Sequence, residues 1–192
     1  MKKKLLIIIG IIAIPIIAIG VLYLLVHLIW LPDTIRDKKF KSELVGIIDT
    51  VHFKMSSDKL RKLKGEPKEL IVDDDSMIYT NIYQEQIYNI ESEIKYEFHS
   101  SVNSALYSVT YNIPVEGLKD IEIMRPIYSN ILEIYKETYE IISYTKQEDL
   151  NENISANIIA KSKIDKSKIT VEIKLENNEV VVIAKNNFKW KP

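Results

Sequence analysis

Few residues in this chain have the type and spacing that chemistry needs. Asp73-Asp74-Asp75 offers hard oxygen ligands of the kind that hold Ca²⁺ or Mg²⁺. It lacks the spaced ligands and the glycine of a calcium loop, and three adjacent carboxylates read as a solvated turn. His52 and His99 stand 47 residues apart with no His-x-x-x-His or His-Glu-x-x-His between them, so zinc has no signature. Glu93 and Glu97 share one face of an expected strand, as glycosidase carboxylates would, but exposed strand faces carry glutamates routinely. Ser101 and Ser104 lie near His99 in a loop, without a Gly-x-Ser-x-Gly elbow or any cysteine. Asn153-Ile154-Ser155 is a glycosylation sequon, which matters only in a host that glycosylates. The five glycines form no phosphate loop. The sequence therefore assigns no catalytic residue, no metal ligand and no cofactor.

Tyrosine is the residue with functional colour. Ten of the eleven fall between Tyr79 and Tyr144. Tyrosine gives large contact area at low entropy cost, which suits protein and glycan surfaces, and it also suits strands and packed helices. Tyr79, Tyr83 and Tyr88 are the expected binding surface.

The elements that would carry such a surface follow an unusual leader. Met1-Lys2-Lys3-Lys4 precedes Leu5 to Leu31, a run without Asp, Glu, Lys or Arg. A bilayer core about 30 Å thick takes roughly 20 apolar residues as a helix, so residues 5–31 are expected to be a transmembrane signal anchor, kinked near Pro15. Tyr23, His27 and Trp30 mark its interfacial end. A cleaved signal ending near Ala18-Ile19-Gly20 is the competing reading. The basic residues 1–4 place the tail in the cytoplasm and residues 32–192 outside it, in a single-pass protein of the cell membrane. The lipid bilayer is thus an expected partner through residues 5–31.

After the leader, 161 residues remain (192 less 31), one ordinary domain in size. Its 23 basic and 27 acidic residues leave a net charge of −4, spread along the chain. That gives no basic face for nucleic acid. With no cysteine there are no disulfides, and the fold rests on its core.

Phe40, Leu44, Ile47, Ile48 and Val51 make one helical stripe. Ser56 or Ser57 caps a second, short helix with Leu60 and Leu63 as its apolar face, stopped by Gly65 and Pro67. Leu70–Val72 and Met77–Tyr83 read as strands. Ile94, Tyr96 and Phe98 alternate with charged residues, and Tyr107, Val109 and Tyr111 read as the hairpin partner. Pro126 is expected at the first position of a long amphipathic helix carrying Tyr128, Leu132, Tyr135, Tyr139 and Ile142. Three strands follow, at Ile154–Ala160, Ile169–Leu175 and Val180–Ala184. The expected fold class is α+β: an N-terminal transmembrane helix, then antiparallel sheet with helices packed on one face, in the order α-α-β-β-β-β-α-β-β-β. A subdivision falls near 113–125, where tyrosine-rich sequence gives way to a tail rich in Lys, Asn, Ile and Val.

Phe53 to Pro67, with its Leu63-x-Gly65-x-Pro67 stop, followed by Ile94-Lys95-Tyr96-Glu97-Phe98 and Leu106-Tyr107-Ser108-Val109, resembles β-lactamase-inhibitor-protein-like and SmpA/OmlA-like domains. The resemblance covers residues 40–112. It implies an extracytoplasmic protein-binding module and not an enzyme. The expected function is accordingly a non-catalytic module for a protein or envelope component of unstated identity. An envelope hydrolase with a dispersed site and a structural subunit of a membrane complex are the alternatives.

Overall fold

The structure, a computed structural model, describes residues 51–100, 105–115, 120–146, 149–150 and 155–187. They belong to the compact unit Lys39–Pro192. The elements are α1 (Ser57–Lys64), β1 (Glu69–Asp73), β2 (Ile78–Ile87), β3 (Ile90–His99), β4 (Ala105–Pro114), α2 (Asp120–Thr138), β5 (Glu140–Tyr144), β6 (Ser155–Lys161), β7 (Lys168–Glu176) and β8 (Glu179–Asn187).

Local chemistry accounts for α1. Ser56 Oγ accepts the Lys59 N–H at 3.4 Å, Asp58 meets the positive end, and Arg61, Lys62 and Lys64 meet the negative one. Gly65 takes φ 85 and its N–H donates to Arg61 O at 2.8 Å, closing the helix. Leu60 is buried, whereas Leu63 is exposed, so the apolar face is narrower than the sequence pattern implies.

All eight strands form one antiparallel sheet in the order β1-β2-β3-β4-β8-β7-β6-β5. Two hairpin turns are written by residues that tolerate positive φ: Tyr88-Asn89 (51° and 65°) and Asn177-Asn178 (51° and 62°). The sheet is two similar halves joined back to back. Each half is a helix followed by a four-strand meander, and the last strand of each, β4 and β8, pair at the centre. Tyr111 faces Ile94 on one side and Val182 on the other, and the row continues through Ile173 to Ala156. This row and its neighbours are buried beneath Ile127, Tyr128, Ile131, Leu132 and Tyr135 of α2, which packs across β5 to β8. On the same face α1 lies over the other half, with Asn81 Nδ2 donating to Ser57 Oγ at 3.1 Å. The opposite face is mixed: Glu93, Lys95, Glu97, Thr110, Lys174 and Lys185 share it with Ile82, Val181 and Ile183.

This architecture corrects the expected fold class. It is an eight-stranded antiparallel sheet with two helices, α-β-β-β-β-α-β-β-β-β over the described residues, with four strands after the second helix where three were expected. Among the described residues no helix is long and apolar enough to cross a membrane. Residues 5–31, with Tyr23, His27 and Trp30, lie outside the described residues, as does the expected helix before Val51. β5 is a further difference. Ile141 and Ile142 continue the helical spacing of α2, but the helix ends at Thr138 and Glu140-Ile141-Ile142-Ser143-Tyr144 becomes a strand. Two successive β-branched residues, Ile141 and Ile142, with Tyr144 close behind, favour that state, and the strand pairs along the edge of β6. Pro126 lies inside α2, not at its start.

Candidate functional site

Among the described residues, the side chains suited to chemistry form no metal-holding group. His52 is buried in the segment before α1, its Nδ1 2.9 Å from Phe53 O, while His99 closes β3 at partial exposure. Asp73 accepts Ser76 N–H at 3.3 Å and Ser76 Oγ at 2.6 Å, and these bonds hold its carboxyl below the ordinary value. The triple-Asp segment is therefore a capped turn. Glu93 is 3.1 Å from Lys95 and accepts Asn112 Nδ2 at 3.4 Å. Ser101, Ser104 and Asn153 lie outside the described residues.

The phenols are acids held neutral. Burial pushes Tyr107 up to about 12, with Glu97 adding to the effect. Burial does the same for Tyr128, which donates to Thr145 O at 2.5 Å. Tyr135, wholly enclosed, is raised further. A raised phenol is a poor base at neutral pH. A shallow opening of about 280 Å³ is lined by Asp58, Arg61, Lys62 and Glu66 on and beside α1. Arg61 sits 3.6 Å from Asp58 there, and none of the four is a nucleophile of the Ser, Cys or His kind.

The three tyrosines expected to form a surface are dispersed. Tyr79 stacks on Phe98 with centroids 6.0 Å apart. Tyr83 is buried, edge-on to Tyr96 at 5.7 Å, and its hydroxyl donates to Gly65 O at 3.0 Å. Only Tyr88, at the β2–β3 turn, is largely exposed, and it accepts Asn130 Nδ2 at 3.1 Å. Two of the three hold α1 and the core together.

What the structure leaves open is an edge. β1 closes one end of the sheet, and all five of its residues are exposed. Leu70, Ile71 and Val72 keep 49%, 46% and 58% of their surface in water. With Leu63 and Met77 they make up five of the eight exposed large hydrophobics among the described residues, so apolar exposure is concentrated here. Leu70 and Val72 lie on the helix-bearing face, beside Asn81 and Tyr79, and Ile71 lies on the other between Glu69 and Asp73. β1 pairs with β2 residue for residue, from Glu69–Ile82 to Asp73–Ile78, so Glu69, Ile71 and Asp73 bond to β2 and the amides and carbonyls of Leu70 and Val72 point outward.

The opposite edge is built differently. β5 slips register between Ile141 and Ser143, and a slip of this kind bends a strand and spoils it as a template. The sequence marks Leu70–Val72 as a strand but not as an edge, because edge position is set by pairing order. The available signal is an apolar triplet that does not alternate, bracketed by acids. No family model, curated protein or solved structure matches the chain.

Proposed function

We propose that this protein is a non-catalytic binding module that takes an extended segment of another protein along β1. The carrying observation is the regularly paired strand at one end of the sheet, with an exposed apolar triplet at its centre. Sheet proteins ordinarily blunt such edges with charge, proline or a bulge, because an open edge recruits any strand it meets. An added strand draws affinity from main-chain hydrogen bonds and selectivity from alternate side chains. Leu70 and Val72 would contact the guest's side chains on one face and Ile71 on the other. The dispersed His52, His99, Glu93 and Glu97 give a hydrolase reading no assembled site to rest on.

The test is site-specific photocrosslinking in cells. A photoreactive residue at Val72 is compared with one at Ile142, which is equally exposed on the other edge. The expected result is a discrete adduct from position 72 that disappears when Leu70→Pro removes an outward amide, because hydrogen bonding of Ile71 is spent on Thr80 of β2. Adducts of equal yield from both edges, or adducts indifferent to the proline, would sink the proposal.

A further inference from the structure

The acids around β1 specify the guest. Resting on the strand-addition reading above, we infer that β1 receives a segment in which two basic residues flank three apolar ones, and that it rejects a second copy of itself.

Glu69 and Asp73 lie on the same face of β1 as Ile71, two residues to either side of it. Glu66, Asp74 and Asp75 extend the negative charge beyond both ends, against Lys68 alone among residues 66–75. Asp73 is fixed in this arrangement by Ser76. Pairing β1 antiparallel to another β1 about Ile71 sets Glu69 against Asp73 twice. Parallel pairing in register sets Glu69 against Glu69 and Asp73 against Asp73. Directly opposed like charges destabilise a strand pair, so the acids that frame the apolar centre act against self-association. They leave the apolar triplet free for a guest of opposite sign.

The geometry also writes the guest's pattern. Residues opposite Glu69 and Asp73 fall four apart on one face and should be Lys or Arg. The residue between them meets Ile71, and the two alternate residues meet Leu70 and Val72 on the helix-bearing face. The guest reads basic-apolar-apolar-apolar-basic.

The experiment uses the full chain and two labelled nonapeptides with the cores Lys-Val-Ile-Val-Lys and Glu-Val-Ile-Val-Glu, read by fluorescence anisotropy. The basic peptide is expected to bind roughly tenfold tighter than the acidic one. Raising salt from about 50 to 500 mM should narrow that preference. Glu69→Lys with Asp73→Lys, both at exposed positions, should reverse it. Equal binding of both peptides, abolished by Leu70→Pro, which removes an outward amide, overturns the charge rule and leaves strand addition standing. No binding of either peptide at about 1 mM overturns both. Self-association in sedimentation that Leu70→Pro disrupts overturns the exclusion of a second copy.

Discussion

Asp165→Asn should unfold this protein far more readily than its place in a turn suggests. The segment before α1 is tied to the start of β4 by Lys54 N–H to Leu106 O at 2.8 Å and Leu106 N–H to Met55 O at 2.9 Å. Lys54 adopts φ 69, and its ammonium donates to the Asp165 carboxylate in the β6–β7 turn, 111 residues away in sequence. The Lys54 side chain is 9% exposed and that of Asp165 28%. Burial alone would raise the Asp165 carboxyl, but the bonds from Lys54 and Ser167 outweigh it and bring it down to about 2 from 3.8. That depression corresponds to at most about 2.4 kcal/mol. Partial exposure screens it to about 1–1.5 kcal/mol. A depressed carboxylate contributes fully above the unfolded value, so this stability is present above pH 3.8 and drains as pH falls toward 2. Asp165→Asn costs more than the screened figure, because it deprives the buried Lys54 ammonium of this carboxylate. About 3 kcal/mol is expected. With a urea slope near 2 kcal/mol/M, the midpoint at neutral pH falls by about 1.5 M. Adding Lys54→Met removes the buried charge as well and should recover most of the loss. The gap between wild type and Asp165→Asn should close as pH drops from about 4 to 2. A single variant within about 0.3 M of wild type, or a double variant less stable than the single, would refute the reasoning.

Two further substitutions probe the halves separately. Gly65→Ala meets open space, since no atom lies within 4 Å of a built Cβ, yet φ 85 with ψ −168 is a region essentially confined to glycine. A loss of about 1–3 kcal/mol in chemical denaturation is expected from backbone strain alone, and an unchanged midpoint would contradict it. Asn186 is 3% exposed with both amide atoms unpartnered, across from Ile169. Asn186→Leu replaces the unsatisfied amide with an apolar side chain of the same branching and should raise stability by about 1 kcal/mol, seen as a higher Tm. A lowered Tm would mean that the amide meets a requirement the contacts do not display.

Much of the fold is legible in local sequence. Ser56, Asp58 and Gly65 write both ends of α1 by themselves. The alternation of Ile94, Tyr96 and Phe98 puts those three rings and chains in the core of β3. The misreadings share one cause, which is that apolar spacing does not choose between periods. Ile141 and Ile142 fit the helix that precedes them and the strand they become. Tyr107 looks like an alternating partner of Val109 and Tyr111, yet β4 shifts register opposite Glu97 and Phe98, which pair with Ser108 and Leu106. Tyr107 is the residue left over, half-buried beside Glu97. The site was less legible still. Tyr83 looks like a surface ring because nothing in the sequence reveals that its hydroxyl reaches Gly65 O.

The two halves of the sheet make the edge argument stronger than exposure alone. β1 and β5 are equivalent elements: each is the first strand after its helix, each has five residues, and each ends up at an edge. One architecture thus meets the same physical liability twice. At β5 it is met by a register slip that throws Ile142 out of the ladder and by Tyr144 lying beneath Lys136, 5.2 Å from its ammonium. At β1 the ladder is regular to its last residue, and acids at both ends replace the slip. A slip closes an edge to every strand, whereas charge closes it only to strands of the same sign. Straightening β5 without adding charge should therefore create a second, unselective edge, and bending β1 should abolish the selective one.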